Sequence, residues 1–402
     1  VKLKNTGLKN YPEADVFFAL LSAASELQIA FAAWSLPLSD EYWFLADFSE
    51  TILHKKIKLE ENTPGFVVQP FLVEEQKGSF FLKADFLYST HTGIASGGSD
   101  TGEAEKKNQL LELAEKKLID QKFHVTLPAG LEEVDYTTSK EHFIQSVEAA
   151  RQAIGEGKFK KVVLARSKKI KQETPIEICD VWERLRKQYP KAFLSFVSMP
   201  KTGAWITATP EVLVSTNNEG IFRTVALAGT QRLKEGATIQ NAVWTQKEIE
   251  EQALVGRYII NCFKKIRLRE FEETGPKTIQ SGNLLHLRTD FSVDMRQMNI
   301  PDLGTMMLEL LHPTSAVCGM PKEEALAFID QHEQLDRQLF SGFIGPVQIK
   351  SESHIFVNLR CVQVFGQSAV LYAGAGITED SVAEKEFVET ELKMEAVGKF
   401  LF

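Results

Sequence analysis

Two spacings of apolar residues alternate along this chain. Helical spacing predicts helices over residues 13–27, 107–120, 244–266, 322–331 and 382–400, and one that starts at Thr138 and ends at Gly155. Thr138 and Glu141 have the spacing of a capping box. Runs of β-branched and aromatic residues between turn residues predict strands at 65–74, 78–88, 162–164, 193–197, 204–208, 212–215, 222–227 and 284–287. From residue 342 the segments GFIGPVQIK, HIFVNLRCVQVF and AVLYAGAGI read as three antiparallel strands, with Arg360 in the middle of the second. Residues 90–106, rich in Gly, Ser and Thr, read as a mobile loop. Many successive strands followed by long helices predict an α+β fold with large antiparallel sheets, not a doubly wound one.

Carboxylates break the pattern of two helices. Along 244–266, Trp244, Val255, Tyr258, Ile259, Cys262 and Ile266 form an apolar stripe, and Glu248 and Glu251, three apart, share that face. In the last helix Val382, Ala396, Val397 and Phe400 form the inward stripe, with Glu386, Glu389 and Lys393 along it and Glu391 pointing elsewhere. Like charges facing an interior are costly unless something neutralises them. A hard divalent cation held by oxygens would do so, and so would arginines from elsewhere in the chain.

Composition narrows the field. With 402 residues, 44% hydrophobic and 25% charged, the chain has ordinary globular make-up and length for a large core. A formal net charge of -8 argues against nucleic acid or an anionic membrane as partner. Cys179, Cys262, Cys318 and Cys361 are scattered, without zinc or disulfide spacing, as free thiols in a cytoplasmic protein would be. The apolar run near residues 16–24 is too short to span a bilayer and lacks a basic lead. Neither G-x-x-x-x-G-K-[ST] nor a helix-opening G-x-G-x-x-G occurs.

Two strand-edge positions stand out. Lys161 enters the strand KVVLAR, where a lysine ordinarily snorkels into water. Pro210 fixes its own φ and keeps Thr209 extended, which defines the position of Glu211. Ala228-Gly229-Thr230, at the end of the 222–227 strand, offers backbone N–H groups to an anion.

In order along the chain, KVVLAR, ATPEVLVS, LAGT, KEIEEQ, LLHL, LHPTSAVCGMP, FSGFIG, NLRC, YAGAGI and EFVETELK resemble the segments of the chorismate-utilising enzymes, and among them the isochorismate synthases. The likeness covers about residues 136–400 of the catalytic region 136–402; residues 1–135 are the variable N-terminal part of the same compact unit. The resemblance implies packed antiparallel sheets, outer helices and a central cleft. It makes Lys161 the general base for water attack at C2 of chorismate, and Glu211 the acid that protonates the departing C4 hydroxyl. Mg²⁺ would be held by Glu251 and Glu389, with Glu248 and Glu386 adding ligands directly or through water. Arg360 and the Gly374 backbone would grip the enolpyruvyl carboxylate, with Lys393, Gly229 and Gly376 completing the anion cradle. Thr230, His286 and Ala316 join the substrate-binding set through LAGT, LLHL and HPTSAVCG.

Within the family, relatives that make anthranilate carry Gln where Lys161 stands, and aminodeoxychorismate synthases carry a nucleophilic lysine where Ala228 stands. Ala316 matches the small residue of the water-using members. Water is therefore the expected nucleophile, with no glutaminase subunit, and a monomer is expected from this branch. Salicylate synthases share Lys161 and Glu211 and go on to eliminate pyruvate, so they are the alternative; a non-catalytic dicarboxylate binder is a more distant one. Gln252, where many relatives have His, and Phe340, where many have Tyr, depart from the family pattern.

Overall fold

The computed structural model describes residues 7–61, 63–72, 78–95, 101–128, 137–200, 202–232, 239–281 and 284–402. Two antiparallel sheets dominate it. The first has ten strands in the order Gly319–Met320, Lys161–Lys171, Ser368–Ile377, Cys361–Phe365, Gly203–Thr209, Phe193–Met199, Ala30–Ser35, Trp43–Asp47, Phe86–Ser89 and Gly93–Ala95. The second has nine: Glu272–Ser281, Leu284–Asp294, Ile221–Arg232, Val212–Thr216, Ser353–Val357, Phe343–Val347, Gly65–Gln69, Ser79–Lys83 and Leu53–Lys55. Strands from the first third of the chain thus lie inside both sheets. The fold is α+β, as the strand succession predicts.

The sheets face each other across aromatic side chains. Phe193 of the first stacks on Phe356 of the second with centroids 4.1 Å apart, and Trp34 lies 5.2 Å from Phe66. Each such pair adds about 0.5–1.5 kcal/mol beyond its buried area. The outer faces are covered by helices, so Ala30, Ala32 and Trp34 enter the inter-sheet core while Phe31 and Ala33 enter the core under the helix Glu13–Glu26. On the second sheet, Gln246–Lys265 packs against Ile221–Arg232 and Leu284–Asp294; on the first, Ala383–Gly398 packs against Ser368–Ile377.

Several boundaries differ from the sequence expectation, each for a local reason. The capping residue of Lys140–Gly155 is Ser139, whose hydroxyl accepts the His142 N–H at 3.1 Å; Thr138 instead accepts the Ser167 N–H at 3.2 Å. Trp244 lies before its helix, which starts at Gln246. The last helix buries Ala383, Glu386, Thr390, Met394 and Val397, while Val382 precedes it and is 45% exposed. Residues 78–88 divide into Ser79–Lys83 in one sheet and Phe86–Ser89 in the other. The expected 90–106 loop contains the strand Gly93–Ala95 and the start of the helix Thr101–Asp120; its residues 96–100 lie outside the described set. HIFVNLRCVQVF is two strands, Ser353–Val357 and Cys361–Phe365, in different sheets, and Arg360 stands in the crossing between them with φ +49°.

Candidate active site

The candidate site lies where the chain passes twice from one sheet to the other. One crossing follows Gly203–Thr209 and carries Glu211; the other carries Arg360. They are laced together, the Val357 N–H donating to the Glu211 carbonyl at 3.0 Å and the Ala208 N–H to the Arg360 carbonyl at 3.1 Å. Asn358, fully buried, pins the second crossing: it accepts from the Thr207 hydroxyl at 2.7 Å and donates to the Leu339 carbonyl at 2.7 Å. The two charged side chains are thereby held as neighbours at a split in the sandwich.

Lys161 does not snorkel. It opens the strand Lys161–Lys171, is 8% exposed, and donates to Glu251 Oε1 at 2.8 Å. Its stem crosses Gly376, where a Cβ would come within 2.8 Å of Lys161 Cε and push the end of the lysine aside. Behind this strand the buried pair Glu333–Arg337 accepts the Ala165 N–H at 2.8 Å and donates to the Val163 and Val317 carbonyls, each at 2.8 Å. Lys160, the next residue back, is exposed.

The LAGT segment is not a strand end. It lies within Ile221–Arg232, whose pairing with Leu284–Asp294 shifts register between Ala228 and Thr230, at Gly229 with φ +64°. This bulge turns the Gly229 peptide into the site: its N–H bonds to the Glu251 carboxylate and its carbonyl to His286. Gln252 braces it from the helix side, accepting the Ala228 N–H at 2.9 Å and donating to the Ala226 carbonyl and Thr289 hydroxyl at 3.1 and 2.9 Å. The Thr230 side chain lies outside the described set.

Ala383–Gly398 brings the remaining groups. Arg166, buried in the Lys161 strand, donates to Thr390 at 2.5 Å and to Glu391, which also holds Lys168, and so fixes the helix on the sheet. Glu391 is therefore a structural partner rather than an outward charge. One helical turn away Lys393 donates to the Gly374 carbonyl at 2.8 Å and pairs with Glu389 at 2.7 Å. Arg166 was absent from the sequence expectation, although a charge at the same strand parity as Val162 and Leu164 signals a buried partner.

The field in the site is mixed. Burial pushes the Glu211 carboxyl up to about 7, against the opposing pull of Lys161, Lys393 and Arg360. Burial also raises Glu251, but the charge and hydrogen bond of Lys161, with Lys393 and the Gly229 N–H, leave it below the ordinary carboxylate value. His286 is pushed down to about 4, first by burial and then by Arg360, so at neutral pH it is uncharged. Burial works against the Arg360 charge, and Tyr189, Glu211 and Glu389 work for it. Lys161, Glu211, Glu251, Arg360 and Lys393 therefore feel one another around one cleft, a neutral acid facing a set of cations.

The four carboxylates expected to bind metal are not gathered. Glu248 completes a capping box at the start of its own helix, accepting the Thr245 N–H at 2.6 Å. Glu251 is held by Lys161 and Glu389 by Lys393; Glu386 is 7% exposed. Among the described residues no group of three or more His, Cys, Asp or Glu is arranged to hold a metal ion. Ala316 and Glu211 line one small cavity, and Phe340 is buried in the inter-sheet core, stacked on Tyr372 at 5.8 Å. A larger open cavity of about 510 Å³, between Lys140–Gly155 and Lys322–His332, contains none of these residues. Among the described residues no helix is long and apolar enough to cross a membrane.

The fold is thus a two-sheet α+β sandwich in which Glu211, Lys161, Arg360 and Lys393 come together near the sheet crossings. Residues 44–402 match the family described as chorismate binding enzyme, and the chain belongs to that family. The match starts well before residue 136, in keeping with the strands that the first third contributes to both sheets. The vibriobactin-specific isochorismate synthase of Vibrio cholerae is 27% identical over 64% of this chain and 66% of its own. Isochorismate synthase MenF of Bacillus subtilis is 28% identical over 79% and 68%, and anthranilate synthase component 1 of Thermococcus kodakarensis 26% over 68% and 63%. The chain thus spans about two thirds of these relatives. Among solved structures, the menaquinone-specific isochorismate synthase MenF of Escherichia coli superposes with a TM-score of 0.74 at 20% identity, over 96% of this chain and 91% of that one.

Proposed function

We propose that this protein is an isochorismate synthase, converting chorismate to isochorismate for menaquinone or siderophore synthesis. The observation that carries the reading is that Lys161, at the start of its strand and bonded to Glu251, acts electrostatically, together with Arg360 and Lys393, on a Glu211 carboxyl that burial pushes up to about 7 at the sheet crossing. The reaction moves a hydroxyl from one ring carbon to another, so it needs one base and one acid. Lys161, once it has left its ion pair with Glu251 and given its own proton to solvent, takes a proton from water as the water oxygen bonds to C2. The ring double bonds shift, the C4–O bond breaks, and Glu211 gives its proton to the departing hydroxyl. Proton exchange with solvent then resets both groups, and the sum is an isomerisation. Arg360 suits a bidentate carboxylate grip, and Lys393 adds a point charge.

Carboxylate oxygens are the ligand type Mg²⁺ takes, and Mg²⁺ is content with few of them alongside water and substrate. Glu251 and Glu389, from two helices, are the residues proposed to hold it, with Glu386 and Glu248 beside them. When bound, the ion would supply positive charge to the substrate ring carboxylate. Each of the two carboxylates is now paired to a lysine, Lys161 or Lys393, which the ion would have to displace.

The test is incubation of purified protein with chorismate and Mg²⁺, against an EDTA control, with chromatography of the products. Isochorismate approaching equilibrium with chorismate, without pyruvate, is the expected result. Salicylate with equal pyruvate would reassign the chain to the salicylate synthases, and no metal-dependent conversion would sink the enzymatic reading.

A further inference from the structure

Glu211 has two sets of neighbours. Its carboxyl feels Lys161, Lys393 and Arg360 of the cleft, and Glu211 also lines a cavity of about 20 Å³ between the strands Val212–Thr216 and Ile221–Arg232 and the helices Gln246–Lys265 and Leu303–Leu311. The cations of the cleft do not line this cavity. Most of its wall is apolar, but Glu211, Thr224, Tyr258 and Thr314 all line it. A single water requires roughly 10–15 Å³ of such room and two to four polar partners.

The hydrogen-bond capacity of those partners is uneven. Thr224 spends its proton on the Leu213 carbonyl at 2.7 Å, and Tyr258 on the Leu310 carbonyl at 3.0 Å, so both hydroxyls can only accept from a further molecule. Thr314 Oγ is buried, and no described residue hydrogen-bonds it. A buried hydroxyl left unmatched costs about 1–3 kcal/mol, which a bridging water would recover. A water there can accept from Thr314 and donate to the Glu211 carboxyl and to one of the other hydroxyls.

We propose that this cavity is a water site, and that Thr314 is a positioning residue which, through that water, orients the Glu211 carboxyl toward the cleft. The inference rests on the proposed role of Glu211 as general acid. The water donates to Glu211 and so favours its ionised form, as do the charges of Lys161, Lys393 and Arg360. Weakening the water weakens both the orientation and that part of the field.

Thr314→Val keeps shape and removes the hydroxyl. The expected result is a fall in kcat of about tenfold, the worth of one hydrogen bond, with KM for chorismate within about twofold. The break that Glu211 sets in the pH profile of the rate should also move to higher pH, and Thr314→Ser should restore both. A crystal structure of the unsubstituted protein should show a water within hydrogen-bond distance of Thr314 Oγ and the Glu211 carboxyl. An empty cavity, or a Thr314→Val enzyme with unchanged kcat and an unmoved break in its pH profile, overturns the proposal. Glu211→Gln separates the two levels: if it is inactive while Thr314→Val is normal, only the water site fails, whereas full activity of Glu211→Gln removes the acid itself.

Discussion

Glu211→Gln should make the fold more stable, and only above acidic pH. Burial raises the Glu211 carboxyl from 4.5 to about 7, so between those values the folded protein keeps a proton that the unfolded chain has released. Stability therefore falls as pH rises through this window: the penalty is absent below 4.5 and complete above about 7. The distance is worth about 3 kcal/mol at roughly 1.4 kcal/mol per pH unit. Glutamine fills the same space and never ionises, so the variant escapes that decline. For a chain of 402 residues the unfolding entropy is about 0.8 kcal/mol per degree, and the gain is about 3–4 °C in Tm. Paired thermal melts in EDTA at pH 4.5, 6 and 8 would read it. A gain near zero at pH 4.5 that grows to pH 8 is expected. A difference independent of pH, or a variant less stable at pH 8, would refute the reasoning that desolvation governs this carboxyl.

Three further outcomes follow from the same geometry. The logarithmic pH profile of chorismate conversion should drop in slope by about one unit at about pH 7, where Glu211 loses the proton it must donate; a profile with no break near pH 7 would contradict that. Lys161→Met should raise Mg²⁺ affinity measured by calorimetry about tenfold, since it frees Glu251 of its ion pair, while Lys160→Met leaves affinity unchanged. Gly376→Ala should lower kcat by about 10² or more with little change in Tm, because the new methyl meets the flexible end of Lys161 at 2.8 Å rather than backbone.

Two strands that the sequence does not announce are buried on both faces. AFAAWS at 30–35 and WFLAD at 43–47 are buried at every residue, one face against the facing sheet and the other against helices, so they carry no alternation of apolar with polar. Glu272–Ser281 fails for the opposite reason: EETGPKTIQS reads as a polar linker but is the edge strand of the second sheet, exposed at every residue from 272 to 277. The helix Ile178–Gln188 was not read from the sequence, whereas the helix Ala383–Gly398 was legible because it is covered on one side only, as the buried positions Ala383, Glu386, Thr390, Met394 and Val397 illustrate. There the sequence-derived stripe was off by about one residue, since it was anchored on Val382, a cap residue.

The site was legible as a set of residue types and much less as a geometry. HIFVNLRCVQVF reads as one uninterrupted strand, and nothing in its hydropathy marks the passage between sheets at Asn358-Leu359-Arg360. Yet that passage gives Arg360 its chemistry. A charge in the middle of a strand would be buried in one core or exposed to solvent, whereas a crossing opens a gap between the sheets where a side chain is desolvated and still reaches a ligand. The Thr209–Glu211 turn makes a second such gap beside it, which is why an acid pushed toward neutrality and an arginine whose charge opposes that push occur together. The anomalous carboxylates carry the same lesson from the other side. Glu248 looked like a ligand because it faces inward, but an N3 glutamate after Thr245 satisfies its own helix end first. A ligand for that site must therefore outbid a cap at Glu248 and lysines at Glu251 and Glu389, and a divalent ion carrying a carboxylate substrate is suited to do so because it offers Lys161 and Lys393 a new anion in exchange.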